Sequence, residues 1–378
     1  MQRFSMHELE FDAREAAAAQ AAILGGAWQG HGRVGRRVEE KLSAALGGGD
    51  ALLTTSCTHA IEMAVALAGV EPGDEVIVPS YAFVSCANAV VQLGGVPVFA
   101  DSEAKTLGLD AASVEAKITG RTKAVLVIDY AGLAADHRAL RALCAKYDLF
   151  YIEDAAHGIG ARQDGKALGT FGDAACFSFH ATKNIACGEG GALWVGRGDR
   201  LALAEQMREK GTDRARFLHG LVDKYTWRTR GSSYVLSDIL AAVLEVQLSR
   251  LDAVTKQRRA LFEAYLARLQ PKAAKLGLRL PVVPAGAEPN GHLMWAMLDG
   301  KRRDPALKAL RAAGVDAAFH YLALHRSPYA QEHGFDRGAL PMAEQAAATL
   351  LRLPLHSRLS VDDIKTICER FEDVLARI

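Results

Sequence analysis

Residues 174–195 read AACFSFHATKNIACGEGGALWV, two apolar runs on either side of a polar, glycine-rich loop. The runs Ala174–Phe179 and Gly191–Val195 have the length and composition of short buried strands, and they predict a hairpin-like pair. Lys183 lies in the loop between them, shortly before Gly188-Glu189-Gly190-Gly191. Because the loop follows a buried strand, we expect Lys183 at a strand end and not on a solvated helix face.

Upstream of this stretch, short apolar runs alternate with helical patterns. The periodicity predicts strands at Ala51–Thr55, Glu75–Pro79, Pro97–Asp101, Ala124–Asp129 and Phe150–Asp154, and helices at Thr58–Ala68, Ser85–Leu93, Val114–Ile118 and His137–Tyr147. Alternation of this kind predicts an α/β fold in which helices cover both faces of a mostly parallel sheet.

The pattern changes in the C-terminal third of the chain. Residues 211–235 show no clear period and are rich in Gly, Arg and aromatic residues, which makes them a candidate functional loop. Around this loop we predict helices at Leu201–Lys210, Ser237–Leu269, Pro305–Ala313 and Val361–Arg377, a linker at Pro281–Pro289, and strands at Leu293–Leu298 and Ala317–Tyr321. The chain length and this change of pattern predict a large domain at 1–250 and a small C-terminal α/β domain at 251–378.

The composition excludes several classes of protein. The chain has 378 residues, a net charge of +1 and no basic run, so nucleic acid is not an expected partner. No apolar run reaches the roughly 18–20 residues that span a bilayer, and the polar N-terminus does not resemble a signal peptide. The six cysteines lack metal-ligand or disulfide spacing, so we expect reduced thiols, no metal and a cytoplasmic location.

A second motif supports a functional interpretation of Lys183. It is Glu153-Asp154-Ala155-Ala156-His157, which lies upstream of the lysine loop at the end of a predicted strand. A lysine amine can condense with the aldehyde of pyridoxal phosphate, and a carboxylate can keep the pyridine nitrogen protonated so that the ring acts as an electron sink. A lysine alone would most often be a solvated surface group. The two residues together predict Lys183 and Asp154 as catalytic residues and pyridoxal phosphate as the cofactor.

Other segments offer groups for the same cofactor. Residues 54–60, TTSCTHA, join a strand to a helix, where free N–H groups and the Ser56 and Thr58 hydroxyls can bind a phosphate. Helix capping explains these residues equally well. Ser178 is a further hydroxyl that could reach the same phosphate from the strand before Lys183.

Two more side chains are expected near the ring of the cofactor. Phe83, in PSYAFVS at 79–85, follows a strand and could stack on a flat pyridine ring, although core packing is the alternative. Asp154 could also be only a helix cap. His157, three residues beyond Asp154, can reach the hydroxyl of the cofactor.

The ordered motifs TSCTHA, PSYAFVS, EDAAH and SFHATKN…GEGG resemble the DegT-type sugar aminotransferases, a branch of the fold type I pyridoxal phosphate enzymes. The resemblance extends from the glycine-rich segment near residue 30 to Leu353-Pro354-Leu355. It implies that Lys183 is the Schiff-base lysine and proton shuttle. It further implies that Asp154 is the partner of the pyridinium nitrogen, that His157 neighbours the ring hydroxyl and that Phe83 is the stacking aromatic. The implied phosphate contacts are Cys57, Thr58 and Ser178.

Within the family, REKGT at 208–212, DKYTWR at 223–228, GSSY at 231–234 and FHY at 319–321 are most similar to transaminases that make dTDP-4-amino-4,6-dideoxygalactose. This implies transfer of an amino group from L-glutamate to a nucleotide-linked 4-keto-6-deoxy sugar such as dTDP-4-keto-6-deoxyglucose. Candidate contacts for the donor carboxylate or the substrate pyrophosphate are Lys210, Arg228, Arg230, His320 and His325. Exposed Arg and Lys are also most often simply solvated.

The resemblance also implies a homodimer with shared active sites, in which the loop at 211–235 reaches the cofactor phosphate of the partner subunit. Ser233 stands in this loop where many relatives have asparagine. A mobile lid within one subunit is the alternative. Asp129 stands where relatives commonly have histidine before Tyr-Ala-Gly, and we expect it to add a negative charge near the strand ends, a departure that bears on the identity of the substrate.

Three other functions fit parts of the sequence. A branch of the family dehydrates sugars with histidine in place of the lysine, and Lys183 argues against it. An aminotransferase for a 3-ketosugar nucleotide or an inosose fits every cofactor motif equally well. A cofactor-binding regulator without turnover is the third, and the intact pair of Lys183 and Asp154 argues against it.

Overall fold

The computed structural model describes residues 2–218, 220–298 and 300–378. Its strands are β1 (Asp50–Thr54), β2 (Glu75–Pro79), β3 (Val96–Ala100), β4 (Thr122–Ile128), β5 (Phe150–Asp154), β6 (Arg162–Gln163), β7 (Lys166–Ala167), β8 (Ala174–Ser178), β9 (Gly191–Val195), β10 (Leu278–Arg279), β11 (Ala287–Glu288), β12 (Met294–Leu298) and β13 (Leu350–Leu353).

The α-helices are α1 (Ala13–Leu24), α2 (Arg33–Leu46), α3 (Cys57–Leu67), α4 (Ser85–Gln92), α5 (Ala111–Glu115), α6 (His137–Tyr147), α7 (Leu201–Arg208), α8 (Arg214–Leu218), α9 (Asp238–Leu248), α10 (Leu251–Leu269), α11 (Ala273–Leu276), α12 (Arg303–Ala312), α13 (Pro328–Glu332), α14 (Pro341–Thr349) and α15 (Val361–Leu375). No helix among the described residues is both long enough and apolar enough to cross a membrane.

The central sheet has seven strands in the order β1-β9-β8-β5-β4-β2-β3. The strands from β8 to β3 pair in parallel, and β9 runs antiparallel to both β8 and β1. The predicted α/β fold with a mostly parallel sheet is therefore confirmed, as is the hairpin-like pair around Lys183. Because β1 and β8 run in the same direction as the parallel strands, their carboxyl ends all meet at one edge.

Both faces of the sheet are buried, which explains the continuous apolar runs of its strands. Successive side chains of a strand point to opposite faces. Val76 and Val78 of β2 accordingly pack in one core with Ile61 of α3, whereas Ile77 packs in a separate core with Leu140 of α6. Helices on both faces thus fix the plane of the sheet and the position of its edge.

A second core lies in the C-terminal part of the chain. It joins Phe262 of α10, Met294 of β12 and Phe371 of α15, and it includes Phe4 from the N-terminal segment. The strands β10, β12 and β13 form a separate three-stranded sheet here. The division into domains 1–250 and 251–378 stays a prediction.

Two predicted elements were wrong. The single helix at Ser237–Leu269 is broken into α9 and α10 at Ser249 and Arg250, where the Arg250 guanidinium turns to the Glu15 carboxylate at 2.8 Å. The strand at Ala317–Tyr321 is reduced to one bridge between Ala318 and Arg352. Two residues beyond Ala318, the His320 side chain is hydrogen-bonded to the Tyr130 hydroxyl.

The two irregular segments also contain short elements. The loop at 211–235 includes α8, and the linker at Pro281–Pro289 includes β11, which pairs with β6. Each segment therefore contains a short element of regular secondary structure among its described residues.

Candidate active site

The candidate site lies where the carboxyl ends of the strands meet. Asp154 ends β5, and the loop with Lys183 follows β8, the neighbouring parallel strand. Phe83 follows β2, and α3 begins directly after β1. Ligands of open α/β sheets bind at this edge.

Lys183 is half-buried in a turn, in which its N–H donates to the His180 carbonyl at 2.9 Å. Burial lowers the pKa of the Lys183 amine because the charged form loses hydration, and the charge of Arg352 acts in the same direction. Asp154 and Cys57 oppose this shift. A lowered pKa increases the fraction of unprotonated amine, which is the form that can attack an aldehyde.

Asp154 is buried at the end of β5, and both of its carboxylate oxygens are hydrogen-bonded. Oδ1 accepts the Ala156 N–H at 3.0 Å, and Oδ2 accepts the Cys86 S–H at 3.2 Å. Burial raises the pKa of Asp154, whereas these two hydrogen bonds lower it. The carboxylate is thus fixed in place by groups that favour its ionised form.

His157 lies beside Asp154 and is also buried. Its Nδ1 accepts the Ala131 N–H at 3.2 Å, so a neutral ring carries its proton on Nε2, which is 3.4 Å from the Tyr321 hydroxyl. Burial keeps the pKa of His157 well below its usual value. The ring stacks on His292 at 4.3 Å between centroids. A neutral His157 with Nε2–H can donate to a hydroxyl or oxyanion of a ligand.

Phe83 is not a core residue, since 56% of its surface is exposed. Its ring centroid is 6.5 Å from that of Tyr321. An exposed aromatic ring at this edge of the sheet can stack on a flat ligand.

The N-terminus of α3 provides a phosphate-binding site. The Ser56 hydroxyl caps the helix by accepting the His59 N–H at 3.2 Å, and the N–H groups of Cys57 and Thr58 belong to the first turn, which has no intrahelical partners for them. The Ser56 hydroxyl therefore serves as the helix cap, whereas the N–H groups of Cys57 and Thr58 remain for a phosphate. A Cβ at Gly191 would lie 2.4 Å from the Cys57 nitrogen, so only glycine fits there.

Two hydroxyls predicted to bind the phosphate have partners within the protein. The Thr58 Oγ1 lies 2.7 Å from the Ser85 Oγ, and the Ser178 Oγ accepts a long hydrogen bond of 3.4 Å from the His180 N–H. Each hydroxyl has capacity for another hydrogen bond. The free helix N-terminus, the exposed Phe83 and the buried carboxylate fit pyridoxal phosphate.

Sequence reasoning missed three residues next to this site. The Tyr130 hydroxyl is 2.7 Å from His320 Nδ1, and the Tyr321 ring stacks on His320 at 3.7 Å. Burial lowers the pKa of His320 to about 2, so its ring is neutral. Arg352 donates to the Phe319 carbonyl at 3.1 Å and makes no ion pair with a carboxylate among the described residues. Arg352 directly precedes the Leu353-Pro354-Leu355 motif, which was the available signal.

Three basic residues in or next to the 211–235 region have acidic neighbours within the chain. Arg228 contacts Asp213 at 2.7 Å, and Arg230 contacts Glu71 at 2.7 Å. The exposed Lys210 is 3.8 Å from Glu209. Within the described residues, no hydrogen bond or ion pair connects these three with Lys183 of the same subunit.

His325 is placed differently from the prediction. It is buried, with Nδ1 2.6 Å from the Ser80 Oγ and Nε2 3.0 Å from the Glu344 carboxylate. Both ring nitrogens are thus used inside the protein, and none is left for a substrate. His325 connects the loop after β2 to α14, so we omit it from the proposed substrate contacts.

Ser233 is exposed and pairs with Glu209 in an antiparallel bridge. The next residue, Tyr234, accepts the Thr55 N–H at 2.8 Å and thereby lies beside the start of α3. The segment with Ser233 is thus held near the phosphate-binding end of α3 but remains open to solvent.

Asp129 does not leave an uncompensated negative charge at the strand ends, which corrects our expectation. Its Oδ1 accepts the His137 Nε2–H at 2.9 Å and the Ala135 N–H at 3.1 Å. Burial alone would lower the pKa of His137, but Asp129 and Glu153 outweigh it and raise this pKa to about 9. The spacing of the three side chains would suit a metal, but His137 Nε2 and Asp129 Oδ1 are engaged in this ion pair.

The comparisons with known proteins agree with this site. A model of the DegT/DnrJ/EryC1/StrS aminotransferase family matches residues 10–372, and the chain belongs to this family. The spore coat polysaccharide biosynthesis protein SpsC of Bacillus subtilis (strain 168) is 32% identical over 367 residues, which cover 92% of this chain and 91% of SpsC.

Solved structures show the same fold over the whole chain. The aminotransferase TlmJ from Streptoalloteichus hindustanus is 32% identical with a TM-score of 0.90 and 99% coverage of both chains. DesV of S. venezuelae, solved in complex with a ketimine intermediate, is 31% identical with a TM-score of 0.91 and full coverage of both. The predicted fold type I aminotransferase fold and the pyridoxal phosphate cofactor are confirmed.

We expect Lys183→Ala to remove the visible band of the covalently bound cofactor and to abolish transamination, because the amine that binds the cofactor and moves the proton is gone. Asp154→Asn should still fold but should lower kcat on the order of a hundredfold or more, because a neutral amide does not favour a protonated ring. Absorption spectra and single-turnover rates measure both effects. Lys123→Ala, at an exposed position of β4, is the control. Normal turnover by Lys183→Ala would refute the assignment.

The buried pair of Asp129 and His137 should stabilise the fold in a pH-dependent way. The folded-state pKa of about 9 exceeds the usual 6.5, so this stability is fully present below about pH 6.5 and is lost as the pH rises through 9. A double-mutant cycle with Asp129→Asn and His137→Gln, measured by urea unfolding, should show coupling at about pH 6 that declines by about pH 10. Each single change should cost about 3–5 kcal/mol at the lower pH.

The exposed pair of Lys146 and Glu115 is the control for this cycle, and we expect little coupling there at either pH. Equal coupling of Asp129 and His137 at both pH values would contradict the ion pair.

Proposed function

We propose that this aminotransferase transfers the amino group of L-glutamate to the 4-keto group of a nucleotide-linked 4-keto-6-deoxy sugar, with dTDP-4-keto-6-deoxyglucose as the expected substrate. The observation that carries the catalytic part is the half-buried Lys183 amine at the same sheet edge as the hydrogen-bonded Asp154. The substrate is supported by the similarity of segments 208–212, 223–228, 231–234 and 319–321 to the subfamily with this activity.

Each protein group has a defined task in this reaction. Bound pyridoxal phosphate supplies an electron sink and carries the amino group between the two substrates. With the cofactor bound, Asp154 would keep the ring nitrogen protonated, and His157 would offer its Nε2–H to the ring hydroxyl. The unprotonated Lys183 amine takes a proton from the α-carbon of glutamate, and it returns a proton to the sugar carbon in the second half-reaction.

Arg352 is the proposed contact for the carboxylate of glutamate. Its guanidinium carries a positive charge close enough to Lys183 to affect the pKa of the amine, and no carboxylate of the described chain neutralises it. Arginine forms paired hydrogen bonds with carboxylates. His320, neutral and stacked on Tyr321, is better suited to hydrogen-bond a sugar hydroxyl.

A 3-ketosugar nucleotide or an inosose stays an open alternative for the amino acceptor, because the cofactor motifs do not distinguish these substrates. SpsC is named for spore coat polysaccharide biosynthesis, which is consistent with a sugar product. A cytoplasmic location stays a prediction.

We expect the purified, yellow, cofactor-loaded protein to lose its visible absorption on addition of L-glutamate and to regain it with the correct keto sugar. A panel of dTDP- and UDP-linked 4-keto sugars, a 3-ketosugar nucleotide and an inosose identifies the acceptor. Recovery only with the 3-ketosugar or the inosose would contradict the proposed substrate. No loss of absorption with any amino donor would support a regulator without turnover.

The glutamate step also tests Arg352. Arg352→Gln should slow the loss of absorption by about 10- to 100-fold, which corresponds to a lost charged hydrogen bond of about 1.5–3 kcal/mol. Arg326→Gln removes an exposed arginine that pairs with Glu344 and is the matched control. Equal rates for the two variants would exclude Arg352 as the carboxylate contact.

The working unit is proposed to be a homodimer with shared active sites. Ser233, Arg228 and Lys210 are exposed on a segment that is attached beside α3, and among the described residues no hydrogen bond or ion pair connects these three with Lys183 of the same subunit. In a two-fold dimer each subunit can supply this segment to the other, and an obligate interface would bury well over about 2,000 Å². Lys210, Arg228 and Arg230 would then contact the phosphates of the substrate from the partner subunit.

Mixing two inactive variants tests the shared site. A Lys183→Ala subunit and a Ser233→Arg subunit should together rebuild one competent site per heterodimer, so that activity returns after subunit exchange. Exchange is followed with differently tagged chains. Exchange without recovery of activity, or active protein that sediments as a monomer, would support a lid within one subunit.

A further inference from the structure

Cys86 is a fully buried thiol whose hydrogen-bonding partner is the Asp154 carboxylate. It lies in the first turn of α4, has no exposed surface, and places its Sγ 3.2 Å from Asp154 Oδ2. Buried cysteines usually act as small apolar residues. Here the thiol instead contacts the residue that holds the pyridine nitrogen in the proposed function.

Part of the environment of Asp154 disfavours the ionised carboxylate that the proposed function requires. Burial favours the protonated carboxylic acid, and the nearby Asp129 carboxylate adds to this effect. A protonated Asp154 would no longer stabilise a protonated ring nitrogen. The opposing groups are the Cys86 S–H, the Ala156 N–H and the Lys183 amine. Of these, only Cys86 and Ala156 donate hydrogen bonds directly to the carboxylate.

The two donors divide the carboxylate between them. Ala156 N–H binds Oδ1 from the backbone of the turn after β5, and Cys86 S–H binds Oδ2 from a helix on one face of the sheet. The donors approach from different elements, so together they fix the rotation of the carboxylate about its last bond. Burial raises the pKa of the Cys86 thiol well above its usual value, which keeps it a neutral donor.

We propose that Cys86 is a positioning residue, whose thiol holds Asp154 in its orientation and keeps it ionised so that the ring nitrogen retains its proton. This inference rests on the proposed function of Asp154. It assigns Cys86 no contact with substrate.

Three variants separate this role from simple packing. Cys86→Ala removes the donor, and Cys86→Ser replaces it with a hydroxyl. Cys176→Ala is the matched control, because Cys176 is equally buried and pairs with Asp154 in the strand register, whereas the hydrogen bonds of the carboxylate among the described residues come from Cys86 and Ala156. Each of the two alanine variants removes one buried cysteine sulfur.

The contact itself is tested in the cofactor-free protein by infrared spectroscopy of the S–H stretch. The difference spectrum between wild type and Cys86→Ala should contain a band shifted to lower frequency by hydrogen bonding. The corresponding spectrum for Cys176→Ala should contain a band without that shift. An unshifted band for Cys86 would overturn the proposal without affecting the proposed function.

The role is tested with pyridoxal phosphate labelled with ¹⁵N in the ring. In Cys86→Ala the ¹⁵N resonance should move toward that of an unprotonated pyridine, and kcat should fall about five- to tenfold, which corresponds to the loss of one hydrogen bond from a weak donor. The resonance should stay at the wild-type position in Cys86→Ser and Cys176→Ala. A wild-type resonance in Cys86→Ala, or equal shifts in both alanine variants, would overturn the proposal.

If Cys86→Ala does not fold, the comparison of Cys86→Ser with wild type decides, and a resonance of unprotonated pyridine in Cys86→Ser would overturn the proposal. If the wild-type protein itself binds no labelled cofactor, the proposed function fails, and the infrared measurement still tests the hydrogen bond.

Discussion

The parallel pairing of β4, β5 and β8 is the constraint on which the candidate site depends. Its register places Asp154 opposite Ile128 on one side and Cys176 on the other, so the end of β5 cannot shift without breaking both ladders. The loop with Lys183 leaves the sheet two residues beyond that level, after Ser178. An amine and a carboxylate that are distant in sequence are therefore held at one edge by backbone hydrogen bonds.

Glycine at position 191 extends the same constraint to the phosphate end of the site. Gly191 pairs with Thr54 of β1, and its missing side chain leaves room for the first turn of α3. Glycine is needed at two positions of the lysine loop for different reasons, since Gly188 adopts a positive φ of 93° and Gly191 is required by close packing. Cofactor ring and phosphate positions are set by one sheet.

Local patterns were sufficient to predict the sheet, Lys183 and Asp154, because strand periodicity and the motifs around them are local properties. The break at Ser249 and Arg250 was not predicted, since the helical pattern continues through it, and the contact that Arg250 makes there, with Glu15, is far away in the sequence. Cys86 and Arg352 were missed for the same reason, because only the fold brings them to Asp154 and Lys183. The misplacement of His325 follows from a side-chain direction that sequence spacing cannot give.

The ion pair of Asp129 and His137 has a consequence for how this family can diverge. His137 stands eight positions after Asp129 and lies within hydrogen-bonding distance of it. Changing His137 alone would leave the buried Asp129 without its cationic partner, and changing Asp129 alone would leave His137 only the longer ionic contact with Glu153 at 3.8 Å, which proteins tolerate poorly. Substitutions of Asp129 and His137 are therefore expected to occur together, so that a chain retains both residues of the pair or neither.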